Sequence, residues 1–368
     1  MLGDRLRTAR EARGETLESL SARTGIGVSS LSEYENGKRE PRLSQLEQIA
    51  AAHGKTVGWF FSEETDVPEL VLWRERPTDQ DAAEIEGKFL RLCEQYRNLE
   101  DWTGEAVDCT LPEASGNAES FDYTQVERLA RAFRSHFDLG DRPAFSLLSV
   151  LEDECGVRIF HLDFEPTGTA ASSVSDRIGR AILLNAKNVR WRRNFDLAHE
   201  LFHLLTWRVF RTEGDPRTAI TSKLEESLAN AFASHLLLPT DALREAIGEA
   251  KRSGGALRHS DLFDVARQFD VSVEALLWRM TRVFGRDPET TRKDIQACRD
   301  LAAAFETRTD TEVSSRPSRF KSLVARSLRD GKISTGRAAE YLGISRRAAM
   351  RLDEPEDVTD DEVSLSTS

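Results

Sequence analysis

The chain has 368 residues, with 51 Lys and Arg against 63 Asp and Glu and a formal net charge of −12. That length exceeds what one core usually supports and predicts two or three domains; an acidic chain of this kind at first argues against a nucleic-acid partner. The charge is uneven, however: residues 1–60 hold nine basic and eight acidic side chains, residues 61–125 five and seventeen, residues 316–352 ten and two, and residues 353–368 none and seven. Acidity is concentrated in one connecting segment and at the C-terminal end, where it follows a basic module that it could mask. Cys93, Cys109, Cys155 and Cys298 form no C-x-x-C pair, which argues against a disulfide framework or zinc ribbon and for reduced thiols. With no long apolar run and no signal peptide, a soluble, cytoplasmic protein without a membrane partner is expected.

From Leu2 the apolar residues Leu2, Leu6 and Ala9 recur at helical spacing, Gly14 stops that helix, and Thr16 caps a second one carrying Leu17, Leu20 and Ala22. Gly25 then turns the chain into a third helix from Val28 to Tyr34, with Ile26, Leu31 and Tyr34 facing inward. Two short helices joined by a glycine turn are the signature of a helix-turn-helix. The order Arg7, Ala9-Arg10, Thr16-Leu17, Thr24-Gly25, Leu31-Ser32, Glu35-Asn36-Gly37-Lys38-Arg39, Pro41, Leu43 and Ile49-Ala50 resembles the XRE family of phage-repressor-like DNA-binding domains. The resemblance implies a five-helix bundle over residues 1–62 that binds a double-stranded DNA operator as a homodimer. It also implies that Ser29, Ser30, Ser32 and Glu33 face base edges while Asn36, Lys38 and Arg39 meet phosphate. Glu33 departs from relatives with a basic or amide residue there, because a carboxylate can accept only from cytosine and repels phosphate. A bundle that has lost DNA binding and serves dimerisation is the competing reading.

Residues 63–122 read as an acidic connector. A helical stretch from Ala82 to Asn98, with an apolar stripe of Glu84, Phe89, Leu90, Leu92, Cys93, Tyr96 and Leu99, precedes a polar linker over Thr103–Asn117. Beyond it, Gln125–Phe137 and Leu147–Glu154 have helical periodicity, Val157–Phe160 and Ala181–Asn185 read as strands, and Thr167–Arg180 reads as an edge strand or loop beside a cleft. Phe195–Val209 is apolar on almost every side, which predicts a buried helix.

That buried helix carries His199-Glu200-Leu201-Phe202-His203. Two histidines four apart face the same way and can share one metal ion, and the glutamate between them can serve as general base toward a water. A catalytic zinc takes three protein ligands, so a further carboxylate or histidine is required. Glu225 and Glu226 open the next helix, and the face with Glu226, Ala229, Asn230 and Ala233 has the small side chains that let two helices approach. Glu226 is therefore the expected third ligand, with Glu225 as the alternative. His235 is a candidate donor to the developing oxyanion, set against the plainer reading of an ordinary packed or surface histidine.

The segments Phe195–Leu204, Glu226–Ala233 and Leu236–Pro239 resemble the ImmA/IrrE metallopeptidases across residues 123–285. The resemblance implies a zinc-dependent endopeptidase, with manganese as the alternative ion. His199, His203 and Glu226 would be its metal ligands and Glu200 its catalytic base, and its substrate would be a repressor-type protein whose cleavage derepresses stress or mobile-element genes. A non-proteolytic transcription factor whose peptidase-like domain senses a ligand or metal is the alternative; self-cleavage within Thr103–Asn117 is a third possibility.

Residues 286–352 read as a helical, basic region in which Ser334 caps one helix and Leu342-Gly343-Ile344-Ser345 turns into another. This is either a second DNA contact or a solvated pair supporting the core. Residues 353–368 are expected to be a disordered acidic tail. The fold class expected is α+β, mostly α, with a helix-turn-helix bundle, a zincin-like domain with a small β-sheet, and a helical C-terminal extension.

Overall fold

The computed structural model describes residues 2–11, 15–53, 55, 57–61, 70–108, 111–167, 169–211, 221–254, 257–305 and 313–352. Gly14, Cys109 and the acidic tail lie outside them. The chain divides into two compact units, one of residues 1–70 and 77–92, the other of residues 71–76 and 93–368.

The first unit is helical: α1 (Leu2–Glu11), α2 (Leu17–Thr24), α3 (Val28–Glu35) and α4 (Leu43–His53), followed by a 3₁₀ turn over Gly58–Phe61. That turn stands where the sequence predicts a fifth helix. Thr16 caps α2 by accepting from the Ser19 N–H, and Gly25 ends it at φ 71°, a left-handed conformation that glycine adopts without a Cβ penalty. Leu6, Leu20, Ile26, Leu31, Tyr34, Leu46, Ile49 and Phe60 close the core. α1 crosses α3 tightly at Gly3, where a Cβ would sit 2.7 Å from the Tyr34 carbonyl oxygen. Buried Glu35 accepts two hydrogen bonds from the Arg10 guanidinium at 2.7 and 2.8 Å, a fork-to-carboxylate pairing that satisfies both charges.

The second unit begins with β1 (Val71–Trp73). α5 (Asp79–Thr103) belongs to the first unit up to Leu92 and to the second from Cys93. The second unit continues with α6 (Tyr123–His136), α7 (Leu147–Ser149) running into a π-helical turn over Val150–Glu154, β2 (Arg158–Leu162), β3 (Ala170–Ser175) and β4 (Gly179–Asn185). The sheet order is β1-β3-β4-β2, with β2 parallel to β4 and the other pairs antiparallel. β1 is an addition to the strands expected from sequence; it pairs Val71 with Ser173 and Trp73 with Ala171. The ladder continues past it, because the Arg74 N–H donates to the Ala170 carbonyl at 3.2 Å and the Glu75 N–H donates to Thr169 Oγ1 at 2.9 Å.

Against the sheet lies α8 (Arg190–Leu205), then α9 (Trp207–Phe210), α10 (Lys223–Leu237), α11 (Thr240–Gly254), α12 (His259–Gln268), α13 (Val273–Phe284) and α14 (Pro288–Phe305). Three helices close the described chain: α15 (Ser318–Arg329), α16 (Thr335–Leu342) and α17 (Arg346–Met350). Leu197, Leu201, Phe202 and Leu204 of α8 pack with Leu228, Phe232 and Leu236 of α10 in one continuous core. Ala229 and Ala233 are fully buried, so small side chains do separate the two helices on that face. No helix among the described residues is long and apolar enough to cross a membrane.

Candidate functional site

A 3.6-residue repeat puts His199 and His203 on one face of α8, and burial on all sides leaves them at most 2% exposed. Their Nε2 atoms stand 3.3 Å apart. The Glu226 carboxylate from α10 joins them, with Oε2 3.1 Å from His199 Nε2 and Oε1 3.5 Å from His203 Nε2. One ligand atom from each of the three residues falls within 4.8 Å of the others. Glu225, the alternative ligand, is turned to the other ring nitrogen of His203, accepting from Nδ1 at 3.0 Å.

The surrounding hydrogen bonds decide which nitrogens carry lone pairs. A carboxylate only accepts, so Glu225 fixes the proton of His203 on Nδ1 and turns the Nε2 lone pair toward Glu226. On the other side Arg74 Nη2 donates to Asn230 Oδ1 at 3.1 Å. Because a guanidinium only donates, the oxygen of Asn230 must face it, and the same oxygen accepts from His199 Nδ1 at 3.1 Å. His199 Nε2 is therefore also a lone pair. Two imidazole lone pairs and a carboxylate meet at one point, an arrangement that repels itself and that a divalent cation satisfies at once; nitrogen and oxygen donors of this kind suit zinc or manganese.

The electrostatics differ between the two histidines. Burial drives the pKa of His199 down to about 4, which keeps it a neutral ligand. Burial also opposes charge on His203, but Glu225, Glu200 and Glu226 outweigh it and raise its pKa, so these carboxylates favour a positive charge at the place where a metal ion would supply it. Burial pushes Glu226 upward too, yet the two histidines hold it at about 2, so it stays a carboxylate. Glu200, 1% exposed, makes no well-formed hydrogen bond among the described residues, although the Ser172 hydroxyl lies beside it, and burial raises its pKa to about 7.

Four charged residues that the sequence did not single out complete this arrangement. Arg211 clamps Glu225 with bonds of 2.6 and 3.1 Å. Fully buried Asp196 accepts from Arg74 at 2.8 Å, from Asn188 at 2.9 Å and from Arg192 at 3.2 Å. His235 sits about two and a half turns beyond Glu226 on α10. Its Nε2 is 3.3 Å from Arg279 Nη1 and it lines a separate cavity of about 380 Å³ with Tyr123, Glu127 and Arg282, so no oxyanion role is assigned to it.

In the first unit α3 leaves Ser29 and Glu33 exposed and Ser30 and Ser32 partly so, while Leu31 and Tyr34 are buried. Asn36, Lys38 and Arg39 are exposed just beyond it. Asn36 is held in place, its Nδ2 donating to the Ser32 carbonyl at 2.7 Å and its Oδ1 accepting from Arg7 at 2.7 Å.

Two family profiles match the chain. One, described as helix-turn-helix, covers residues 6–60, and the other, described as IrrE N-terminal-like domain among the M78 peptidases, covers residues 152–281. Comparison with curated proteins gave no match. Among solved structures, ComR from S. thermophilus in complex with DNA and its signalling peptide ComS is 12% identical, with 83% of this chain and 94% of that chain covered at a TM-score of 0.25. PlcR from Bacillus thuringiensis, in complex with the peptide PapR7 and DNA, is also 12% identical, with 95% and 91% covered at a TM-score of 0.16. Superpositions this loose say nothing of shape or activity.

Proposed function

From a chain that joins an XRE-type helix-turn-helix to an IrrE/ImmA-like domain, we propose a DNA-binding regulator that is also a zinc-dependent endopeptidase. Its substrate is a repressor-type protein, and cleavage derepresses stress or mobile-element genes. The observation that carries this reading is the meeting of the His199, His203 and Glu226 ligand atoms on the helix that also carries the buried carboxylate of Glu200. A zinc ion at that point supplies Lewis-acid polarisation of the scissile carbonyl and acidifies a water; manganese is the alternative.

Glu200 is the general base. It accepts the proton of the attacking water and passes it to the leaving amine. In the DNA-binding unit Ser29, Ser30, Ser32 and Glu33 read base edges, and Asn36, Lys38 and Arg39 hold phosphate. The chain binds its operator in the cytoplasm as a homodimer across two half-sites.

The test pairs metal content with cleavage. Mass spectrometry of the purified chain is expected to give about one zinc or manganese per chain, lost in His203→Ala. Glu200→Gln is expected to keep the metal and lose cleavage of the repressor-type substrate. A chain without metal after reconstitution overturns the site, and a metal-loaded chain that cuts nothing overturns the peptidase in favour of a sensor.

A further inference from the structure

The C-terminal three helices repeat the first three helices of the chain without a gap. α1 ends at Glu11 and α15 at Arg329; α2 spans Leu17–Thr24 and α16 spans Thr335–Leu342; α3 begins at Val28 and α17 at Arg346, every position 318 residues on. The capping repeats as well. Thr16 accepts from the Ser19 N–H and Ser334 from the Arg337 N–H, both at 3.2 Å. Gly25 and Gly343 both end their helix in the left-handed conformation, at φ 71° and 68°, donating to the carbonyls of Ser21 and Ala339, again 318 apart.

Burial follows the same register. Leu6, Ala9, Leu20 and Leu31 are buried in the first copy, and Val324, Ser327, Ala338 and Ala349 in the second. The copies part at Ile26 and Ile344, the first 6% and the second 39% exposed, and at Tyr34 and Leu352, 2% and 36% exposed. They also part in how they are supported. Among the described residues the second has no counterpart of α4; it packs instead through Phe320, whose ring centroid lies 5.4 Å from that of Tyr96 and 5.8 Å from that of Phe160, and through Arg319, which bonds Glu100.

We propose that residues 320–352 form a second helix-turn-helix that binds double-stranded DNA through the phosphate backbone. The charge that the first copy lacks is here. The eight residues from Val28 hold two carboxylates and no cation, whereas the equivalent eight from Arg346 hold three arginines, Arg346, Arg347 and Arg351, all exposed, against one carboxylate, Asp353. Arg347 and Arg351 occupy the places of Ser29 and Glu33. Arg326 and Arg337, on the helices behind, are paired with Glu105 and Glu340; among the described residues none of the three front arginines has an acidic partner. A solvated helix pair that only supports the core has no need of a left-handed glycine turn followed by unpaired cations on the face that a helix-turn-helix presents to the groove. The duplex, a regular array of phosphates, is the ligand whose chemistry matches that face.

The test uses the full chain and fluorescence anisotropy with a mixed-sequence duplex of about 30 base pairs, titrated across salt. Each lost phosphate contact flattens the slope of log K against log salt by about 0.9, so the triple variant Arg346→Ala, Arg347→Ala, Arg351→Ala is expected to lower its magnitude by about 2 to 3. The triple Lys variant retains the charges and is expected to keep the slope. The pair Lys38→Ala, Arg39→Ala, read separately, reports on the N-terminal module, so loss of one DNA contact is not mistaken for the other. An unchanged slope in the triple Ala variant, with thermal unfolding as in the parent, overturns the proposal. So does dependence on these arginines that appears with single-stranded RNA and not with the duplex.

Discussion

Replacing Glu225 by Gln changes one atom in a carboxylate that is 2% exposed and touches no candidate metal position, yet it should reach the metal. Both oxygens of Glu225 are accepting, from His203 Nδ1 at 3.0 Å and from Arg211 at 2.6 and 3.1 Å. A glutamine in this place has one oxygen and one NH₂ group. If the oxygen stays on His203, the NH₂ faces the guanidinium, donor against donor. If the amide flips, its oxygen accepts only from Arg211 Nη1, while its NH₂ faces both Arg211 Nη2 and His203 Nδ1; Nδ1 must then accept, so the proton moves to Nε2 and the ligand lone pair is lost. Exchanging a charge-assisted bond for a neutral one costs about 1–2 kcal/mol, and partners of metal-bound histidines are typically worth 10- to 100-fold in affinity. Zinc affinity, measured by competition with a chromophoric chelator, is expected to fall by about that factor. An affinity within about twofold of the parent, in a variant that melts at the same temperature, refutes the tautomer argument.

Asn230→Ala removes the matching acceptor from His199 and is expected to weaken zinc by about tenfold; combined with Glu225→Gln the losses should come close to adding in free energy if the two histidines are oriented independently. Gly3→Ala drives a methyl against the Tyr34 and Glu35 carbonyls at 2.7 and 2.8 Å, both backbone atoms. It should destabilise the helix-turn-helix unit by about 1–3 kcal/mol in denaturant titration. His161, 8% exposed on β2, has its pKa lowered by burial to about 4, with Arg193 adding to the effect. As pH falls from about 6.5 toward 4 the unfolded chain takes up a proton that the folded chain refuses, so stability declines through that window. His161→Gln is expected to reduce the slope by about 1.4 kcal/mol per pH unit, read from urea midpoints at pH 4.5 to 6.5.

Local chemistry made much of this molecule legible in its sequence. The apolar wrap of Phe195–Val209 announces a buried helix, the four-residue interval pairs His199 with His203, and the small residues Ala229 and Ala233 mark the side of α10 that approaches it. Adjacent residues on a helix point about 100° apart, which is why Glu225 and Glu226 do not share a target: one meets the ring nitrogens that converge, the other the nitrogen behind. What stayed hidden depends on contacts between distant segments. β1 is three residues long, too short to show alternation, and Arg74 lies 122 residues from the aspartate it pairs with. The first and second helix-turn-helix motifs are each readable, but their identical register emerges only when caps, turns and burial are compared position by position.

The route of the polypeptide has one more consequence. Residues 71–76 belong to the large unit although the chain on both sides of them belongs to the small one, so the backbone passes between the units three times, near residues 70, 76 and 92. β1 is held in the large unit by its ladder on β3 and by the Arg74 guanidinium on Asp196 and Asn230. Displacing this strand would remove the donor that fixes the amide of Asn230, so that loosening β1 and loosening His199 would be a single event.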